Sequence, residues 1–273
     1  MIQDKATKVG CTAKLCAGGN NPSLAVCVYD VASVKENNLQ ILTEVLFNFR
    51  AVAQQGVIYE SGNGVCTPTS AATDCTTYTP STCDIDTGLC LKTDATTTAA
   101  TTTAAAATTP SASSVVTPSG GTNTRCAQNS GMIDELRFLF RDMHNYRRSQ
   151  TALGKTIKNT GRYLPQGSNM QFMRYDCNLE ASAIQLAAAC PSAATQSGTI
   201  IGQLTVSSVA TWTDAVREIV KSWWRVVRQY NGPGMQVTFK TQHVGTPIAS
   251  FTQGPVHKIT VEETEAALKK MSP

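Results

Sequence analysis

Two residue types could do chemistry by their spacing in this 273-residue chain: ten cysteines and three histidines. The cysteines stand at Cys11, Cys16, Cys27, Cys66, Cys75, Cys83, Cys90, Cys126, Cys177 and Cys190, and the histidines are His144, His243 and His257. Zinc is the first chemistry to test, because thiolate and imidazole are its usual ligands. Zinc sites announce themselves as close pairs such as C-x-x-C; the chain has no such pair, and its histidines are scattered. The other use of cysteine is the disulfide. Cys66 to Cys90 is a short run interleaved with Thr, Ser, Pro and Asp, with few apolar residues to bury free thiols. A loop-rich stretch of that kind needs covalent cross-links to hold a shape, and cross-links persist in an oxidising compartment.

The remaining candidates are weaker. His144 could be a cleft residue titrating near neutral pH, or a helix residue hydrogen-bonded to its neighbours; His243 and His257 carry no argument. No Gly-x-Ser-x-Gly elbow or Ser/His/Asp set is present, so nucleophilic hydrolysis has little support. Gly198 to Gly202 is too poor in glycine to cradle a phosphate. The net charge of +4 comes without a Lys/Arg run, so nucleic acid is not indicated as a partner. No apolar stretch approaches the roughly 20 residues that span a bilayer. Met1 to Gly10 has neither the basic start nor the apolar core of a signal peptide. The cysteines nevertheless predict an extracellular protein, its export signal missing from this sequence because the chain is incomplete.

The elements that must position these residues fall into two blocks around a Thr/Ser/Ala-rich tract. From Leu91 to Arg125 the composition cannot bury enough apolar surface to offset its ordering entropy, so a disordered linker is expected, suited to O-glycans if secreted. Downstream, Asp134 can cap a helix whose apolar stripe is Leu136, Leu139, Phe140, Met143 and Tyr146, leaving Arg137, Arg141 and Arg148 off it. A second helix runs from about Asn178 to Ala189 and stops at Cys190-Pro191. A third, from about Thr213 to Tyr230, has apolar pairs at Ala215-Val216, Ile219-Val220, Trp223-Trp224 and Val226-Val227, a broad face that reads as core. Its Arg217, Lys221, Arg225 and Arg228 lie along one side, either a solvated face or a surface for an acidic partner. Val237 with Phe239, and Ile248 with Phe251, are short strand candidates. Upstream, Lys8 to Lys14 and Leu24 to Tyr29 read as a strand pair about a Gly18-to-Pro22 turn.

Several of these segments together resemble one family. Met132-Ile133-Asp134-Glu135-Leu136-Arg137, then His144-Asn145-Tyr146-Arg147-Arg148-Ser149, resemble the first helix of the CAP superfamily, in particular the nematode venom-allergen-like or activation-associated secreted proteins of double-domain type. Tyr175-Asp176-Cys177-Asn178-Leu179-Glu180, Cys190-Pro191 and Trp212 with Trp223-Trp224 resemble its later landmarks. The start of the chain resembles the other end of the same domain: Met1 to Cys11 and Ala25 to Tyr29 look like its late strands, and Ile58-Tyr59-Glu60 with the cysteines to Cys90 look like the hinge module that follows. The blocks therefore stand in reversed order.

The resemblance implies an α+β fold, an α-β-α sandwich completed by the early strands of the N-terminal block. It divides the chain into late strands of a first CAP domain (1–30), a non-family insert (31–56), a cysteine-rich hinge (57–90), the linker (91–125), the front of a second CAP domain (126–253) and a non-family tail (254–273). It implies a Cys11 to Cys27 bridge and two bridges among Cys66, Cys75, Cys83 and Cys90, with connectivity open. It implies structural roles for His144, Asn145, Arg148, Asp176, Cys177, Cys190, Trp223 and Trp224, and so favours the packed reading of His144. The family's metal tetrad of two histidines and two glutamates is degenerate: no histidine follows Cys190, and the other positions hold Gln203, Val226 and Ser250. No cofactor or catalytic residue is then expected. The expected function is binding, by host interaction or through a lipid or sterol ligand. The alternatives are a metal-dependent hydrolase of CAP type and a truncated gene product with no independent function.

Overall fold

In a computed structural model the residues described are 6–16, 22–30, 56–62, 66–67, 71–93, 118, 120–192, 194, 198–205, 211–243 and 246–252. The insert expected before residue 56, most of the linker, the tail and His257 lie outside them. Strands β1 (Lys8–Leu15) and β2 (Pro22–Tyr29) pair antiparallel with Cys11 opposite Cys27. The strand pair read from the sequence is therefore present, in a register that presents the two sulfurs to one another.

The pair does not stand alone. Strand β6 (Arg174–Tyr175) lies parallel to β1 and β7 (Thr199–Thr205) antiparallel to β2, giving the order β6-β1-β2-β7. The first two strands of the chain thus occupy the centre of a sheet whose edges come from far downstream in the same chain. Alternation along β1 and β2 explains the burial on both faces. Ala13, Ala25, Cys27, Val9 and Cys11 meet helices α2 (Asp134–Ala152) and α4 (Trp212–Gln229) through Leu136, Phe140, Val216, Ile219, Val220 and Trp223. Leu24, Val26 and the partly buried Val28 face helix α3 (Cys177–Ala188) through Ala183, Ala187 and Leu186. Helix, sheet, helix: the expected α-β-α sandwich is formed.

Close approach requires glycine at two places. A Cβ on Gly10 would lie 2.1 Å from the backbone nitrogen of Glu180, so α3 can sit on the sheet only because no side chain intervenes. At Gly202 a Cβ would come within 2.4 Å of Ile219 and 2.6 Å of the Trp223 indole nitrogen, on the opposite face.

A smaller unit packs beside the sandwich. Helix α1 (Ala71–Asp74) precedes a hairpin of β4 (Ser81–Asp84) and β5 (Leu89–Lys92), and β3 (Gly56–Val57) pairs with β8 (Thr238–Phe239). Cys66 bonds Cys83 and Cys75 bonds Cys90. The hairpin is held to the sandwich: Cys90 N–H donates to the Met170 carbonyl and Phe172 N–H to that of Cys90, each at 2.8 Å. Ile58 and Tyr59 pack with Trp224, Val227 and Phe251 in a separate apolar cluster.

Four expectations are corrected. Asp134 is not the cap of α2; Ile133 is, and Asp134 opens the first turn, its carboxylate accepting from the Thr124 and Arg125 N–H groups. Arg137 and Arg148 are fully buried, because their partners arrive from other elements, while Tyr146 from the apolar stripe is 56% exposed. Ile248–Thr252 is a helix, α5, not a strand; a three-residue spacing of Ile248 and Phe251 suits one helical face, and both are buried against α4. Leu91 and Lys92, expected in the linker, complete β5, and 120–125 pack against α2 through Thr124 and Asp134.

Candidate functional site

Two of the degenerate tetrad positions, Gln203 and Val226, make other contacts. Gln203 is an exposed residue of β7 whose amide Nε2 donates to the Pro191 carbonyl at 3.1 Å. Val226 lies in the apolar cluster with Trp224 and Phe239. Ser250 sits on α5, a helix where the expectation was a strand. A valine side chain offers no donor, and the Gln203 amide is engaged elsewhere, so these residues do not fit a divalent metal. Among the described residues the only cluster of Cys, His, Asp or Glu with metal-like spacing is Cys66, Cys75 and Cys90, and disulfides consume all three sulfurs.

His144 is fully buried on α2, and its hydrogen bonds fix its tautomer. The Phe140 carbonyl can only accept, so Nδ1 carries the proton and donates to it at 2.6 Å. Nε2 then accepts from the Tyr29 hydroxyl at 2.7 Å. Burial pushes the imidazole down to about 3, with the nearby Arg148 charge acting in the same direction. It pushes the Tyr29 hydroxyl far above the ordinary phenol value. Both groups stay neutral through the physiological range, so this pair is a joint between α2 and β2, not an acid-base centre. His243 is also buried; its Nδ1 accepts from the Lys240 N–H at 3.0 Å and its ring meets Phe239 edge-on at 5.4 Å.

The other motif residues are joints too. Asn145 copies a backbone pairing with Met173, donating to its carbonyl at 2.9 Å and accepting from its N–H at 2.8 Å. Arg148 donates to the carbonyls of Gln171 at 2.7 Å and Ala6 at 3.3 Å, tying α2 to the start of the chain. Asp176 caps α3 by accepting from Asn178 and Leu179, and it meets Lys8 at 3.1 Å. Burial would raise its carboxyl, but the Leu179 N–H and Lys8 outweigh that and hold it below the usual range. Trp223 donates to the Ile201 carbonyl at 3.2 Å, and Trp224 meets Phe251 edge-on at 5.0 Å. The core reading of both indoles holds.

Sequence reasoning missed three features. Cys126 bonds Cys177, and Cys16 bonds Cys190 across 174 residues, so β1 and the end of α3 are covalently joined. Arg137, wholly buried, donates through Nε and a terminal nitrogen to the two oxygens of buried Glu180, each at 2.8 Å, and to Asp134 at 2.8 Å. Tyr175 donates its hydroxyl to Glu180, and the same oxygen accepts from the Cys11 N–H at 3.2 Å. The third is a shallow depression of about 270 Å³ between α3 and β7, lined by Leu186, Ala189, Pro191 and Ile201 with Gln185 and Thr199. No motif marks it, because its walls come from elements that the fold alone brings together.

A sandwich of this order, cross-linked at three places and carrying a hinge unit with two further disulfides, defines a class of protein before any comparison is made. The comparison agrees: residues 141–246 match the model of the CAP, cysteine-rich secretory protein, family. Over 261 residues it is 26% identical to the Ancylostoma secreted protein of Ancylostoma caninum, covering 89% of this chain and 50% of that protein. The chain thus spans about half the length of the curated relative it matches. No solved structure matches it. Strands β1 and β2 lie outside the family match and join the domain through the sheet.

Proposed function

We propose that this is an extracellular CAP protein that acts by binding and not by metal-dependent hydrolysis, with β1 and β2 serving as the late strands of its domain. The observation that carries the reading is the fate of the tetrad positions: Gln203 turned onto a backbone carbonyl, and Val226 in the core. Five disulfides and no free cysteine support an oxidising compartment, and the relative is a protein named as secreted. The apolar depression between α3 and β7, about 270 Å³, lies below the usual range of pockets that enclose a drug-sized ligand. Surface recognition of a macromolecule is therefore favoured over engulfing a sterol.

Metal analysis of the purified protein tests the proposal. After dialysis, zinc well below one equivalent is expected, with no change in melting temperature on adding chelator. Stoichiometric zinc that only a chelator removes, with a lowered melting temperature on its removal, would restore the hydrolase.

A further inference from the structure

The cationic side of α4 noted in the sequence acquires a second wall in the fold. Lys221, Arg225 and Arg228 project from one face of α4, at the four- and three-residue spacings that stack side chains above one another. Arg147 of α2 faces them, and with Trp224 these residues enclose a cavity of about 170 Å³. The Arg147 guanidinium lies over two aromatic rings, 5.3 Å from the ring centre of Trp224 and 5.3 Å from that of Tyr146. Its Nε is buried and has no hydrogen-bond partner among the described residues. Four cations meet one carboxylate there, since Glu218 takes both Lys221 at 2.7 Å and Arg225 at 3.1 Å. Burial lowers Arg147 from its ordinary value and the Arg228 charge lowers it further, the response of a cation short of anions.

We propose that this cleft between α2 and α4 binds a sulfate ester of a linear sulfated polysaccharide. Guanidinium groups suit the geometry: a planar fork gives two parallel hydrogen bonds to a tetrahedral oxoanion, and one held over aromatic rings loses little entropy on binding. The linear polymer follows from the continuation of the row. Arg217 extends it beyond the pocket, so the cations form a strip about 16 Å long on a rigid helix. Such a strip meets successive charges of a chain, where a lone anion would use only the pocket. The compartment that the disulfides require is also the one in which sulfated polysaccharides occur. The inference rests on the extracellular binding reading for its compartment alone, and its failure is separable from failure of that reading, which zinc analysis decides.

The test is titration of the full chain with a heparin oligosaccharide at two NaCl concentrations. The wild type is expected to bind, more weakly at high salt because released counterions and screening oppose the contact. Arg225→Glu with Arg228→Glu, both exposed and remote from the core, is expected to weaken binding at least tenfold and flatten the salt dependence; Arg228→Ala should weaken it about threefold. Lys14→Glu on β1 changes the charge of the protein in the same sense and is expected to stay within twofold of wild type. Desulfated heparin is expected not to bind. No binding to heparin, an equal loss in Lys14→Glu, an unchanged double variant, or binding to phosphatidylserine vesicles in place of heparin would each overturn the proposal.

Discussion

Replacing His144 with glutamine should remove a defined part of the protein's acid sensitivity. The folded imidazole is held down to about 3 by burial, whereas an unfolded one titrates near 6.5. The sign follows from which state binds the proton. Below about pH 6.5 the unfolded chain takes up a proton that the folded chain refuses, so stability is full above that pH and falls as the solution is acidified towards 3. The slope approaches about 1.36 kcal/mol per pH unit once the unfolded imidazole is protonated, so acidification from pH 7.5 to 4.5 costs roughly 2–3 kcal/mol. Stopping at pH 4.5 leaves Asp134 and Asp176 almost fully ionised, because both carboxyls are held below their usual values; they contribute only at lower pH. His243, also lowered by burial, adds to the same slope in wild type and variant alike, so the difference between them isolates His144. The assay is urea unfolding with disulfides intact at pH 7.5, 6.5, 5.5 and 4.5. His144→Gln is expected to be less stable at pH 7.5, since it disturbs the bonds to Tyr29 and Phe140, but to lose about 2–3 kcal/mol less than wild type on acidification. Parallel stability curves for the two proteins would refute the neutral, buried histidine.

Two further substitutions probe the joints. Glu180→Ala strands a buried guanidinium that keeps Asp134 and Asn123 as partners but loses its bidentate one, and it should cost about 3–5 kcal/mol in chemical denaturation; a loss under about 1 kcal/mol would show that water reaches the pair. Gly10→Ala pushes a methyl group into the backbone of α3, which cannot swing aside as a side chain would, and should cost about 1–3 kcal/mol or more, whereas Gly131→Ala, with open space around it but a left-handed backbone, should cost less; equal melting temperatures for Gly10→Ala and wild type would mean that α3 does not sit on the sheet as described.

The elements most legible in the sequence were those whose period matches their burial. α4 has apolar residues at nearly every core-facing position, and β2 is apolar on both faces because helices cover both, so length and turn chemistry place it. Arg137 and Arg148 were misread because helical periodicity records which residues are apolar, while the groups that let these cations be buried stand on other elements; Glu180 is 43 residues away from Arg137. The same limit hid the Cys16 and Cys126 bridges, since pairing is a property of distance in the fold. Ile248 and Phe251 illustrate the ambiguity of a short apolar run, whose spacing serves a strand end or a single helical turn equally. Of the candidate site, the residue types at the tetrad positions could be read from the sequence alone; the basic cleft could not, because its second wall, Arg147, comes from a helix about 70 residues earlier than the row it faces.

The most direct test of the account is the disulfide map of the natural or recombinant protein, obtained by non-reducing digestion and mass spectrometry. The central claim is that the early strands and the later helices form one sandwich within one chain, and a single bond reports it. A Cys16 to Cys190 peptide recovered from monomeric protein is the predicted result, with Cys11 to Cys27 and Cys126 to Cys177 alongside it. Free Cys16 and Cys190, or a Cys16 to Cys190 link found only in a covalent dimer, would contradict the claim.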